Sequence, residues 1–297
     1  MSDFRQVLYF AGQNFQGWKR NMRVFMTFML GIVLCLMLSD EAVSYTQKYE
    51  LSIQILEPFI WTYGDAASVM LYSLLLFLLF ADMPFVTPET PYGLIRTKRS
   101  VWLGGQIVYV LTATVLFQLF LLIVQTLIVF PFAFVGNVWS KTAAMLGYGG
   151  AAEGALPVSV RTMESMLPYE CAFQVFLLML CYMLFLVSLM LLFNLAFGNA
   201  AGIVVALGMN LYGFLLNPEL FQKLFHLTEN QFYRANVLCG WLSPLNHATF
   251  SMHNFGYDYL PKTGVSILLF SGVTILLIVG AGLKMPTYNF TFIQTDE

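Results

Sequence analysis

The sequence predicts an all-α integral membrane protein with about six transmembrane helices and an N-terminal interfacial amphipathic helix. Of the 297 residues, 59% are hydrophobic and only 10% are charged, whereas a soluble globular domain has about 25% charged residues. The charged residues are also grouped, so that they leave several long uncharged stretches between them. This composition excludes a disordered chain and a nucleic-acid-binding protein, and it argues against a water-soluble enzyme.

The first predicted element is a short amphipathic helix over residues 1–21. Phe4, Leu8, Phe15 and Trp18 recur at near-helical spacing, with arginine and glutamine side chains between them. Such a pattern is typical of a helix that lies in the plane of the membrane interface. The alternative is an unstructured cytoplasmic tail. Polar residues precede the first apolar run, which is the wrong order for a cleavable signal peptide.

Six transmembrane helices follow from the uncharged stretches, because a helix needs about 20 mainly apolar residues to cross a hydrocarbon core of about 30 Å. The uncharged run 171–218 is too long for one span, and we divide it at Asn194 and at the Gly198-Asn199 pair. Arg23 begins the first helix, where its side chain can reach the headgroups. The predicted spans are 22–41, 58–81, 103–130, 170–193, 199–217 and 264–283.

The segment 235–257 is also uncharged, but we do not predict a seventh span there. Its polar groups would find too few hydrogen-bond partners in lipid. We therefore expect a loop or a partly re-entrant segment. Its polar or helix-breaking residues are Ser243, Pro244, Asn246, His247, His253 and Asn254.

The lysine and arginine residues predict a multi-pass protein of the cell membrane with both termini in the cytoplasm. In this orientation eight of the 14 basic residues face the cytoplasm and six face the outside. The cytoplasmic ones lie close to helix ends, where the positive-inside rule applies. Residues 82–102 then form a cytoplasmic loop, and residues 131–169 and 218–263 form extracellular loops.

No motif in the sequence indicates catalysis. The patterns GxxxxGK[ST], GxSxG and HExxH are all absent, so we expect no catalytic residue, no bound cofactor and no enzymatic activity in this chain. The four cysteines include no CxxC pair, which gives no support for a zinc site or a disulfide framework. A metal site on His247 and His253 would need Asp258 as a third ligand, and hydrogen-bonded loop histidines are the simpler interpretation.

Asp40, Glu41 and Glu170 lie at the very ends of predicted spans, so Asp65 is the one acidic residue in the interior of a span, near its outer end. Acidic residues within the membrane usually mark a pathway, because an unpaired charge there is costly. A solvated carboxylate at the mouth of a cavity is the alternative. The scarcity of other charges within the spans argues against a carrier driven by an ion gradient.

Residues 82–102 form the most distinctive segment. Pro84, Pro88 and Pro91 prevent a continuous helix, and a basic and aromatic stretch then leads into the third span. A compact protrusion with aromatic and basic side chains would fit a groove on a cytoplasmic partner. An ordinary positive-inside loop is the alternative, which explains the basic residues but not the prolines.

Taken together, these features resemble the membrane subunit of an ABC transporter of the ABC-2 type, in particular the small permeases of Gram-positive bacteria. The resemblance rests on the amphipathic helix, on six spans without an ATPase domain, and on the loop up to Gln106 with its Arg96-Thr97 and Trp102. It also rests on Trp-Leu-Ser-Pro-Leu-Asn-His-Ala at 241–248, followed by His-Asn-Phe-Gly at 253–256.

The resemblance implies a permease dimer, formed with an identical copy or a sister subunit, above two separate ATP-binding subunits that hold ATP and Mg²⁺. The N-terminal helix would be the elbow helix, and residues 84–99 would be the coupling helix that the ATPase displaces. The residues assigned to this coupling are Phe85, Pro88, Pro91, Tyr92, Ile95, Arg96, Thr97, Lys98 and Arg99.

The fifth predicted span would line the dimer or the pathway, because Gly198, Gly202 and Ala206 permit close helix approach. Packing of these residues within one subunit is an equal alternative. For the whole protein, the rival hypotheses are an ATP-independent secondary carrier or a structural or assembly protein of the membrane. An intramembrane enzyme built on the two loop histidines and Asp258 is a third.

Overall fold

The computed structural model describes residues 2–86, 90–95, 97–148, 158–198, 200–256 and 258–290. Most of this chain is helical, and the described strands form one parallel pair, in which Ile53 lies opposite Ala133 and Gln54 opposite Phe134. The strands are β1 (Ile53–Gln54) and β2 (Ala133–Phe134). The helices are α1 (Asp3–Gln16), α2 (Met22–Lys48), α3 (Glu57–Thr62), α4 (Ala66–Leu79), α5 (Thr90–Leu94), α6 (Arg99–Val129), α7 (Lys141–Tyr148), α8 (Val160–Ser165), α9 (Pro168–Phe197), α10 (Ala201–Leu215), α11 (Pro218–Leu224), α12 (Phe232–Leu242), α13 (Pro244–Ala248) and α14 (Thr263–Lys284).

The predicted helical architecture is confirmed, and several helices are long and apolar enough to cross a membrane, but the number of six spans is not confirmed. Among the described residues, four helices are long and apolar enough to cross a membrane, namely α2, α6, α9 and α14. A fifth span results if α10 and α11 count as one, although they are bent by 74° at their junction. The 14-residue α4 is apolar but short.

The predicted helix 58–81 is divided into α3 and α4. Asp65 causes the break, since its carboxylate accepts hydrogen bonds from the backbone N–H and the hydroxyl of Ser68, both at 2.8 Å. An aspartate in this position satisfies the free N–H groups of a first helical turn. A new helix therefore begins at Ala66.

The other predicted spans differ from the structure mainly at their ends. The helix α2 continues to Lys48, seven residues beyond the predicted end at 41, and α6 begins at Arg99 inside the predicted loop 82–102. The helix α9 ends at Gly198, whose φ of 106° is accessible to glycine at little cost. Residues 82–102 also contain the short helix α5.

The helix α9 forms the centre of the bundle and packs against α14, α10 and α6. Its buried side chains lie on most of its circumference, unlike those of α2 and α14, which bury a much smaller share of their surface. We call the end of the bundle that holds α1, the described residues of 82–98 (82–86, 90–95 and 97–98) and the turn Met285–Thr287 the α1 end. The opposite end, which holds α3, α7 and α13, is called the α13 end.

Candidate functional site

Residues 82–86 are held at the α1 end by three different helices. The amide Nδ2 of Asn194 in α9 donates to the carbonyl of Met83 at 2.6 Å. Arg23 of α2 forms an ion pair with Asp82. The side chain of Gln106 in α6 binds the backbone of Phe85. The chain that leads to α5 is therefore tied to α2, α6 and α9.

The helix α5 rests on α1 and presents its other side outward. A Cβ atom on Gly93 would lie 2.8 Å from the ring of Phe10, so that the two helices are in close contact. Thr90 is buried, whereas Tyr92 is 75% exposed and Ile95 is 82% exposed. Thr97 closes the segment by donating to the carbonyl of Gly93 at 2.9 Å. Two adjacent apolar side chains thus project from an anchored support.

The helix α1 crosses the beginning of α6 at two glycines. A Cβ on Gly105 would lie 2.5 Å from the Cβ of Phe10, and one on Gly104 would lie 3.1 Å from Val7. The indole Nε1 of Trp18 donates to the hydroxyl of Tyr109 at 2.6 Å. The N-terminal segment is helical, as the amphipathic pattern predicted.

The face of α1 that packs against the bundle consists of Phe10, Ala11 and Asn14. Phe4 and Leu8, two of the residues predicted to face the membrane interface, are exposed. The glycines of α6 leave room for the packed face, because a side chain at Gly105 would collide with Phe10.

The start of α6 is bound to the turn that follows α14. The guanidinium of Arg99 donates to the carbonyls of Pro286 and Tyr288, at 2.7 and 3.1 Å. The rings of Trp102 and Tyr288 are stacked, with centroids 6.5 Å apart. Lys98 is also exposed, but its nearest ionic partner is Asp3 at 3.9 Å. Arg99 is therefore a structural anchor, and Lys98 is open to a partner.

The structure brings most of the predicted coupling residues together on the α1 end. Phe85 faces inward against Tyr109, with ring centroids 4.8 Å apart. Pro91 lies in the first turn of α5. Pro88 and the side chain of Arg96 lie outside the described residues.

The predicted pathway residues do not form one site. Asp65 caps α4, next to the α13 end. Gly202 lies against α9, since a Cβ there would come within 2.3 Å of the carbonyl oxygen of Met190. Gly198 ends α9, and Ala206 is fully buried. For Gly202, packing within one subunit is the alternative that the structure supports.

A polar cluster inside the bundle was not predicted from the sequence. The Nε2 of Gln125 donates to the hydroxyls of Thr62 and Tyr72, at 3.1 and 3.0 Å, and the hydroxyl of Tyr63 donates to Gln118 at 3.5 Å. Gln118 and Gln125 are buried and seven residues apart, which places them on one face of α6. The sequence signal that could have predicted this cluster was the seven-residue spacing of two amide side chains within an apolar helix.

Glu57 organises the α13 end. Its carboxylate accepts three hydrogen bonds: from the N–H of Ser140 at 2.7 Å, from the hydroxyl of Ser140 at 2.6 Å and from the N–H of Gln54 at 3.1 Å. Burial raises the pKa of Glu57 to about 7, and the hydrogen bonds to Ser140 and Gln54 oppose that rise. This residue ties α3 to the beginning of α7.

The proposed metal ligands are not assembled. His247 and His253 lie close together, but Asp258 forms an ion pair with Arg161. Within the part of the chain that the structure describes, no three His, Cys, Asp or Glu residues are grouped as metal ligands.

The α1 end is therefore where exposed apolar, basic and anchored groups coincide, and its geometry suits the docking of another protein. Comparisons with known proteins add nothing to this assignment: no protein-family model, curated protein or solved structure matches the chain.

Proposed function

We propose that this chain is the permease subunit of an ATP-driven transporter of the ABC-2 type, working as an exporter. The observation that supports the proposal is the arrangement around α5, where Tyr92 and Ile95, the residue that follows the helix, are exposed while Gly93 packs against α1. Exposed aromatic and aliphatic side chains on a rigid support are typical anchors of protein interfaces.

The contacts around α5 suit a coupling element. A force on α5 reaches α1 through Gly93, and it reaches α6 and α9 through Gln106 and Asn194. The ion pair of Arg23 with Asp82 adds α2. Displacement of one short helix therefore acts on four others at once, which is how a partner can bias a two-state membrane bundle.

The proposal includes the partners that the mechanism needs. Two ATP-binding subunits supply ATP and Mg²⁺, because the sequence has no phosphate-binding loop. A second permease, identical or a sister subunit, completes the pathway. The chain lies in the cell membrane with both termini in the cytoplasm, so that α5 faces the ATPase.

Purification of the tagged chain from its native cell in mild detergent tests the proposal. We expect a stoichiometric ATP-binding cassette protein, identified by mass spectrometry, and vanadate-sensitive ATP hydrolysis in the eluate. The double variant Tyr92→Ala/Ile95→Ala should recover at least about tenfold less of this partner. Tyr259→Ala is the matched control, because Tyr259 is 80% exposed outside the α1 end.

Two outcomes would overturn the proposal. The chain recovered alone, and active in liposomes under an ion gradient, would establish a secondary carrier. Recovery with other membrane proteins and without an ATPase would instead indicate a structural or assembly role. If the double variant still binds a normal amount of the ATPase, α5 is not the docking element.

A further inference from the structure

Two histidines meet one serine hydroxyl at the α13 end. The Oγ of Ser266, in the first turns of α14, lies 2.8 Å from Nδ1 of His247 and 2.9 Å from Nε2 of His253. His247 and His253 are each 2% exposed, and Ser266 is fully buried. The three side chains therefore form a buried group.

The outer nitrogens of both rings face backbone carbonyls. Nε2 of His247 lies 3.0 Å from the carbonyl of Trp241. Nδ1 of His253 lies 3.1 Å from the carbonyls of both Thr249 and Phe250. A carbonyl oxygen only accepts hydrogen bonds, so each of these nitrogens carries a hydrogen and donates it.

This arrangement leaves Ser266 one hydrogen short. When both imidazoles are neutral, their inner nitrogens present lone pairs to Oγ, and each needs a donor. A serine hydroxyl has a single hydrogen, so it donates to one ring and presents a lone pair to the other. One of the two short contacts is therefore unmade in the neutral state, and such a buried unmade bond is costly.

We propose that His247, Ser266 and His253 form a binding site for one proton. A hydronium ion transfers its proton to the inner nitrogen of one ring, a water molecule leaves, and that ring becomes an imidazolium. The new N–H donates to Oγ of Ser266, whose own hydrogen is donated to the other ring. Every polar atom of the group then has a partner. A second proton would create two neighbouring imidazolium ions that both donate to Oγ, so their charges would repel each other and the hydroxyl hydrogen would lose its acceptor.

The surroundings of the site restrict it to acidic pH and to a single proton. Burial, together with the smaller effect of the neighbouring His247, lowers the pKa of His253 from 6.5 to about 4, although the hydrogen bonds to Phe250 and Thr249 oppose this change. Burial also lowers the pKa of His247, against its hydrogen bond to Trp241. The unmade bond at Ser266 acts in the opposite direction. We therefore expect uptake between about pH 4 and 6.5.

Other titratable groups do not compete for this role. The helices packed around α13 are α4, α9, α10, α12 and α14. The titratable group that lowers the pKa of His253 electrostatically is His247, which belongs to the same site. The titratable groups that these elements and the adjoining turns carry near the α13 end are Tyr63, Asp65, Tyr72, Tyr182, Cys239 and Lys262.

The site joins several elements of the α13 end. It connects α13 to the first turns of α14, while Ser243 at the start of α13 donates to the carbonyl of Gly213 in α10 at 2.8 Å. The N–H of Phe250 donates to the carbonyl of Tyr63 at 2.9 Å. Proton uptake therefore completes the hydrogen bonding of the corner where α4, α10, α13 and α14 meet. The inference is independent of the proposed transport function.

Nitrogen-15 NMR of the full chain, labelled on histidine and held in lipid nanodiscs, counts the protons directly. The chain has three histidines, and the variant His226→Asn identifies the signal of His226, which is exposed and outside the site. We expect His247 and His253 together to bind one proton between about pH 6.5 and 4, with the protein still folded. Uptake of no proton, or of two, would overturn the proposal.

Variants of Ser266 test the shared hydroxyl. Ser266→Ala should bind the proton about tenfold more weakly, a shift of about one pH unit, because the imidazolium loses its acceptor. Ser266→Thr, which keeps the hydroxyl, should restore the titration. Ser271→Ala, in the same helix and bonded to Cys181 instead, is the control. An unchanged titration in Ser266→Ala would exclude the bridge, and the proton count of the natural chain tests the site even if that variant does not fold.

Discussion

The side chain of Gln106 binds the backbone of Phe85 at both of its polar groups. The N–H of Phe85 donates to Oε1 at 3.2 Å, and Nε2 donates to the carbonyl of Phe85 at 3.0 Å. The buried side chain of Gln106 thus supplies the two backbone hydrogen bonds that a neighbouring strand would otherwise make, in a segment without regular secondary structure. This pair fixes the direction in which the chain leaves the bundle toward α5.

Replacement of Gln106 by leucine should lower the free energy of unfolding by about 2 kcal/mol, because two backbone groups of Phe85 lose their partners while the side-chain volume is nearly kept. Thermal unfolding in detergent measures the loss. Gln16→Leu, at an exposed position of α1, is the control and should unfold like the natural chain. An equal stability of Gln106→Leu would mean that water satisfies the backbone of Phe85.

Charge reversal at Arg96 and Lys98 should uncouple ATP hydrolysis from transport without affecting membrane insertion. The physical reason is that Lys98 is exposed and pairs only loosely with Asp3, at 3.9 Å, so that its charge is free to meet a partner. ATP hydrolysis and transport are measured in the same inside-out vesicles. The reversal of Lys223 and Arg234, both exposed on other elements, is the control. Unchanged transport in the first double variant would contradict the prediction.

Gly202→Ala should destabilise the protein by about 2 kcal/mol, whereas Gly208→Ala in the same helix should not. A Cβ on Gly202 would lie 2.3 Å from the carbonyl oxygen of Met190 and 2.6 Å from Oδ1 of Asn194, so α10 would have to move away from α9. Gly208 has open space in that direction. Thermal unfolding of the two variants checks this. Equal stabilities would show that α10 adjusts freely.

Glu57→Gln should change how stability depends on pH. Burial raises the pKa of Glu57 to about 7, so the folded chain holds the proton more tightly than the unfolded chain does. The stabilising contribution is therefore fully present below about pH 4.5 and is lost as the pH rises through about 7. The unfolding temperature of the natural chain minus that of Glu57→Gln should be smaller at pH 8 than at pH 5. The reverse order would mean that the bonds from Ser140 and Gln54 outweigh burial.

Asp65→Ala should cost about 1 kcal/mol through loss of the cap of α4, and Asp65→Asn should keep most of the stability because its side-chain oxygen still accepts from Ser68. Thermal unfolding separates the two variants. A transport assay distinguishes the capping role of Asp65 from a role in the transport pathway. Asparagine can replace a capping aspartate, but it cannot replace an aspartate whose charge is needed for transport. Loss of transport in Asp65→Asn with normal stability would restore the pathway hypothesis.

The apolar helices were predictable because hydrophobic length and charge spacing are local properties of the chain. The predicted ranges 103–130, 170–193 and 264–283 all lie within, or within one residue of, α6, α9 and α14. The break at Asp65 also had a local signal, an aspartate three residues before Ser68. It was missed because the surrounding hydrophobicity favoured one continuous span.

The candidate site was predictable only in part. The prolines and the aromatic and basic residues of 82–102 indicated a protrusion, but Gln106 and Asn194 gave no sign that they bind it. These partners lie 21 and 111 residues from Phe85 and Met83. Hydrogen bonds over such separations depend on how helices cross, which no short sequence pattern contains.

The sequence by itself determined that this is a helical membrane protein, because burying so many apolar side chains requires lipid and backbone groups in lipid require helices. Tertiary structure alone decided which polar residues meet. Ser266 reaches His247 and His253 only because α13 folds back onto α14, and α1 settles on α6 only because two glycines admit it. Apolar burial is non-directional and follows from composition, whereas hydrogen bonds and close helix contacts are directional and follow from the packed arrangement.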